Sequence, residues 1–134
     1  MYQSIYILDA TMKKRAASPE SLLPLRPNWF HVLLSLRDQE QHGYGIMQDV
    51  LERTEGKVRL WPTTLYGTLK RMIDDELIEE SDERPAPEMD DARRIYYRLT
   101  DFGARVMTAE TERLQSLIDA AHAKKRTRKR EATS

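Results

Sequence analysis

The chain has 134 residues, a third of them charged and 40% hydrophobic, with 22 basic and 22 acidic side chains and no cysteine. That suits one soluble domain with a modest core, and it excludes disulfides and thiolate metal sites. No apolar run reaches the about 18 residues that a membrane helix requires, and the first residues lack the pattern of a secretory signal, so a cytoplasmic protein is expected.

Residues 1–11, MYQSIYILDAT, are apolar enough to pair somewhere but announce no element. Pro19, Pro24 and Pro27 then break residues 19–27 into a linker, because each proline disfavours helix just before it. Residues 1–26 thus form an arm and linker. Pro27 and Asn28 open NWFHVLLSLRDQ, where Trp29, Val32, Leu33 and Leu36 make one helical stripe and Phe30 and Leu34 widen it. A helix this apolar is buried on more than one side, in a core or against a partner. QHGYGI supplies two glycines and a turn, and residues 44–54 form the next helix, with Ile46, Met47, Val50 and Leu51 on one face and Gly56 as its left-handed cap. Pro62 starts a third helix, 62–75, in the position where proline is best tolerated.

Leu77 to Ser81 form a strand, DERPAPEMDDAR a loop, and RIYYRL a second strand in which Ile95, Tyr97 and Leu99 alternate against Arg94, Tyr96 and Arg98. Thr100 is a good N-cap for a last helix over residues 101–124, with Asp101 favourable against its dipole. Leu114, Leu117, Ile118 and Ala121 continue its apolar stripe farther than so small a domain can cover, which predicts a homodimer held by this helix with help from residues 29–37. Residues 124–134 are a basic tail, expected to be disordered. It holds six basic residues and one acidic, so the remainder keeps 16 basic and 21 acidic residues, a net of −5. That asymmetry favours an anionic partner for the tail.

The third helix carries the functional signal. Leu65, Leu69, Met72 and Ile73 share its buried face, whereas Thr63, Gly67 and Lys70 face outward, with Thr64 and Arg71 at the edge. With Leu65 at zero and about 100° per residue, Gly67 falls at about 200°. A glycine there costs about 0.5–1 kcal/mol relative to alanine, which makes sense if something approaches the backbone closely. The order of elements reads as a helix-turn-helix, 44–54 and 62–75, whose second helix enters the major groove, followed by a wing. The threonines suit bases or phosphates, and Lys70 and Arg71 suit phosphates. In the wing, Glu88, Asp90 and Asp91 oppose phosphate contact, so Arg84, Arg93 and Arg94 at its base are the better contacts.

HGYGIMQDVLERT, TTLYGTLKRMIDDELIEES and RRIYYRLTDFGARVM, in this order, resemble the PadR family of bacterial transcriptional regulators over residues 27–124. The resemblance implies a mainly α fold with a small β-hairpin: a winged helix-turn-helix over 27–100, then a dimerisation helix over 101–123. It also implies repression at a palindromic double-stranded operator. Thr64, Leu65 and Tyr66 match the family's T-L-Y, with Tyr66 expected on the DNA backbone, and Tyr97, Leu99 and Thr100 match the exit from the wing. Where the family usually has glycine, Glu76 stands, so residue 76 takes left-handed strain or another cap. Related regulators sense small aromatic or drug-like molecules, which makes Trp29 and Trp61 candidates for an effector pocket. Core packing is the stronger reading for Trp29, and for Trp61 both stay open.

Enzyme readings are poor. His31, His42 and His122 have no metal-ligand spacing, and neither a nucleophile elbow nor a phosphate loop occurs. No cofactor is expected. The alternatives are a winged helix turned protein-interaction module, which would expose apolar residues on the outward face of helix 62–75, and a small-molecule sensor without a DNA role, which would need a sizeable apolar cavity.

Overall fold

The computed structural model describes residues 18–81 and 95–133, with side chains described as far as Lys124. In chain order it comprises a 3-10 turn, Pro19–Leu22, then α1 (Pro27–Arg37), β1 (Gln41–His42), α2 (Gly43–Arg53), α3 (Pro62–Asp74), β2 (Ile78–Ser81), β3 (Tyr96–Leu99) and α4 (Asp101–Thr133). The sheet order is β1-β3-β2, with both pairs antiparallel. This is the expected mainly helical winged fold, with one strand more than the hairpin alone.

The core gathers one face from each helix. Val32, Leu33 and Leu36 of α1 meet Ile46 and Val50 of α2 and Leu65, Leu69 and Met72 of α3, closed by Leu77, Ile78, Tyr97, Val106 and Met107. Each side chain of this cluster is nearly or fully excluded from water. Burying an aliphatic side chain of this kind contributes about 1.5–3 kcal/mol, and that burial holds the short helices, which would be marginal alone. The apolar breadth of α1 is thus largely spent on the chain's own core.

Two helix ends use non-glycine residues in the left-handed region. After α3, Glu76 takes φ 61°; its N–H donates to Ile73 O at 2.9 Å and that of Leu77 to Met72 O at 2.9 Å. The strain expected of residue 76 is therefore present, at about 1–2 kcal/mol, in a Schellman closure that satisfies two carbonyls. Thr100 fastens the same corner: its hydroxyl donates to Glu76 O at 2.5 Å and accepts from Gly103 N–H at 2.9 Å. Any Cβ at Gly103 would overlap the Leu77 carbonyl oxygen, which explains glycine there. After α2 the same closure begins one residue earlier than expected. Glu55 (φ 54°) is the left-handed residue, and Gly56 (φ 80°) follows it, donating to Leu51 O at 2.8 Å.

Three further expectations are corrected. The alternation in RIYYRL fails at its start, because Ile95 is 45% exposed whereas Tyr96 is buried beside Tyr97. The unforeseen β1 pairs His42 with Tyr96, and the His42 ring meets the Tyr96 ring edge-on at 5.3 Å, covering the face that would otherwise be wet. The stretch read as a linker is packed: Leu22, Leu23 and Leu25 lie against the core, and Leu25 N–H donates to Glu110 Oε2 at 2.8 Å. Glu110 is only 2% exposed. Its carboxylate is held by Arg113, with Nε–Oε1 at 2.5 Å and Nη2–Oε2 at 3.2 Å, and these bonds lower its pKa against the opposing effect of burial. Finally, α4 continues through Thr133 rather than ending near residue 124, so the basic tail is helical backbone.

Candidate nucleic-acid interface

α2 and α3 are joined by eight residues, 54–61, a longer connection than a tight helix-turn-helix uses. Thr54 organises it: its hydroxyl donates to Val50 O at 2.8 Å and accepts from Val58 N–H at 3.0 Å. Leu60, 5% exposed, pins the end of the connection to the core. The start of α2 is also built locally, because His42 caps it, with Nδ1 accepting from Gly45 N–H at 3.0 Å.

α3 is strongly two-faced. Leu65, Thr68, Leu69 and Met72 are buried. Thr63, Thr64, Tyr66, Gly67, Lys70 and Arg71 are all exposed. A Cβ added at Gly67 would meet nothing within 4 Å among the described residues, none of which requires glycine at this position. Tyr66 is 51% exposed and its hydroxyl lies over Gly43, where a Cβ would stand 2.6 Å from the Tyr66 oxygen. Glycine at 43 is thus what lets the Tyr66 ring rest on the start of α2. The first turn of α3 carries no acidic residue, so its positive dipole end is not neutralised locally.

Of the expected DNA contacts, the structure brings together the six on α3. Arg84, Arg93 and Arg94, with the acidic tip of the loop, lie outside the described residues. The stripe on α4 divides. Up to Glu110 the helix packs on the body, through Val106 and Met107; Leu114 is half-buried, and every residue from 115 to 124 is exposed in the single chain. Leu117 is 55% and Ile118 48% exposed, and Ala121 follows them on the open stretch.

Both tryptophans are now placed. Trp29 is half-buried against the core with Arg26 over its ring, 5.9 Å from the centroid. It also lines an open groove of about 520 Å³ between the packed arm and the C-terminal half of α3, with Leu22 and Leu25 on one side and Arg71, Asp74 and Asp75 on the other. Trp61 is neither core nor part of that groove: it is 62% exposed. Among the described residues no helix is long and apolar enough to cross a membrane, and no cluster of His, Cys, Asp or Glu could hold a metal ion. Sequence reasoning missed the buried Glu110 and the cap at His42. Nothing in the local pattern marks the first; the second has a signal in the histidine three residues before Gly45.

The model of the transcriptional regulator PadR-like family matches residues 32–109. An uncharacterized protein of Lysinibacillus sphaericus is 26% identical over 91 residues, 66% of this chain and 81% of that protein. A transcriptional regulator from Clostridium thermocellum shares the fold at a TM-score of 0.59 and 21% identity, covering 71% of this chain and 86% of that one. A PadR family regulator from Clostridium difficile does so at 0.58 and 23%, over 71% and 94%. Bacillus subtilis PadR, solved in complex with operator DNA, gives 0.52 and 23%, over 64% of this chain and 47% of that one.

Proposed function

This chain belongs to the PadR-like family of transcriptional regulators, and on that premise we propose that it is a homodimeric repressor that reads a palindromic operator with α3 and is released by a small molecule. The observation that carries the reading is the outward face of α3. It presents the hydroxyls of Thr63, Thr64 and Tyr66, two cations and a bare glycine, while Leu65, Leu69 and Met72 are buried in the core. Lysine is depleted at protein–protein interfaces, whereas hydroxyls, cations and a bare backbone suit phosphates and base edges.

In this reading Thr63, Thr64, Gly67 and Lys70 face the groove, Tyr66 and Arg71 meet the backbone, and Arg84, Arg93 and Arg94 hold the flanking phosphates. Leu114, Leu117, Ile118 and Ala121 join two copies, which sets two recognition helices about 10 bp or a multiple apart. The groove beside Arg71 supports the effector, because it combines the Trp29 ring with charged groups on the recognition helix itself. A small aromatic molecule seated there would bear directly on α3. Selection from random duplex DNA tests the function: an enriched inverted repeat supports it, and recovery of no sequence, or of a single asymmetric site, overturns it.

A further inference from the structure

Trp61 is the most exposed large hydrophobic residue among those described. It occupies the N-cap of α3, where serine, threonine, aspartate or asparagine would bind the open N–H groups, and its side chain makes no such bond. The Trp61 carbonyl accepts from Leu65 N–H at 2.8 Å, but its side chain serves neither the core nor the helix cap. The Arg59 guanidinium lies over the indole, 5.3 Å from the ring centroid, a stacking that holds the cation in place without neutralising it. Pro62, Thr63 and Thr64 continue the same exposed end, and the first turn holds no acid. Cation, aromatic face and unopposed helix dipole thus converge beyond the N-terminal end of the recognition helix, the end that contacts base edges in helix-turn-helix proteins.

We propose that Arg59 and Trp61 form a second DNA contact that sets sequence preference: Arg59 binds a phosphate, and the indole packs on a thymine methyl group. The proposal rests on the reading that α3 enters the major groove. The thymine C5-methyl is the apolar group that a major-groove base edge offers, so the apolar face of the indole has one specific partner there. The contact differs from those of Thr63 and Lys70, which read acceptors and charge.

The test uses the full chain and the duplex it enriches. W61A, a change at an exposed position, is expected to melt like the parent and to lose on the order of 10-fold in affinity. Replacing thymine by uracil at each operator position in turn removes only the methyl group. One position per half-site is expected to weaken the parent several-fold and to leave W61A unchanged. R59A is expected to lower the slope of log affinity against log salt by about 0.9 for each phosphate released. Acrylamide quenching adds an independent readout: W29F leaves Trp61 as the sole tryptophan, and its quenching is expected to fall when operator is added. Should W29F fold poorly, the difference between the parent and W61F reports the same signal.

W61A binding as tightly as the parent overturns the proposal, as does a uracil penalty that W61A shares in full. Shielding of Trp61 that rises with protein concentration in the absence of DNA overturns it too, by assigning the ring to a contact between copies. If the parent enriches no duplex at all, the functional reading itself has failed and the proposal falls with it; parental binding with an indifferent W61A fails this proposal alone.

Discussion

Gly67 places helix propensity and DNA approach in opposition, and the structure allows both to be sized. A Cβ there meets no atom of the described residues within 4 Å, so Gly67→Ala carries no steric cost against them. It should stabilise the fold by up to about 1 kcal/mol, which raises Tm by about 3–6 °C. Gly67→Glu gains somewhat less propensity but places a carboxylate three and four residues before Lys70 and Arg71, pairs that contribute about 0.2–0.5 kcal/mol each. It too should fold at least as well as the parent. On the operator the two variants should part. The alanine methyl is small and should impair binding mildly, whereas the glutamate sets a charge against phosphates and occupies both cations. A like-charge opposition of about 3 kcal/mol corresponds to roughly 100-fold in affinity. Leu69→Ala is the inward control: Leu69 is 1% exposed, and the cavity should cost about 2–5 kcal/mol of stability. Thermal melts and operator titrations on the three variants separate the effects. Gly67→Glu binding as tightly as the parent would show that this face is not in the groove.

The open half of α4 and the buried carboxylate on its first half yield further expectations. Leu117→Asp should convert a dimer into monomer or aggregate, read by sedimentation, and a parent that is monomeric at micromolar concentration would refute the interface. Deleting residues 124–134 should flatten the salt dependence of DNA affinity and leave the ranking of sites unchanged; an unchanged slope makes the tail a bystander. Glu110 has a lowered pKa, chiefly through the Arg113 hydrogen bond, so its contribution is complete above its unfolded value and is lost as pH falls through the lower folded value. Urea melts from neutral pH to about pH 3 should show this acid limb in the parent and lose it in Glu110→Gln; equal limbs would mean that the carboxylate is not linked to folding. Glu110→Ala, which also strips Leu25 N–H of its acceptor, should cost a further 1–3 kcal/mol or so.

What was legible in the sequence was what periodicity encodes. The inward set Leu65, Leu69 and Met72 and the outward set Thr63, Gly67 and Lys70 follow from the helical repeat, and each lies where the repeat puts it. The strain at Glu76 was one of two outcomes expected there, strain or another cap, because the family that the chain resembles usually has glycine at that position. β1 was not legible: two residues cannot show a period, and its partner lies more than fifty positions away. That omission also reversed Tyr96 and Ile95, since the cover over Tyr96 comes from His42. The three prolines of residues 19–27 correctly denied a regular α-helix, yet said nothing of the leucines between them, which the carboxylate of Glu110, 85 residues from Leu25, helps to dock. Trp61 carried two sequence readings, core or pocket, and the structure assigns it to neither.

The absence of cysteine permits the most direct measurement of where α3 sits. A single cysteine placed at the exposed Thr63 and labelled with an iron chelate generates hydroxyl radicals at that point. On the selected duplex the labelled Thr63→Cys protein should cut within each half-site, in two clusters about 10 bp or a multiple apart. The same label on Glu112→Cys, an exposed position on α4, should leave the half-site centres intact. Cleavage from position 112 with none from position 63, in a protein that still binds the duplex, would contradict the assignment of α3 as the element that reads DNA.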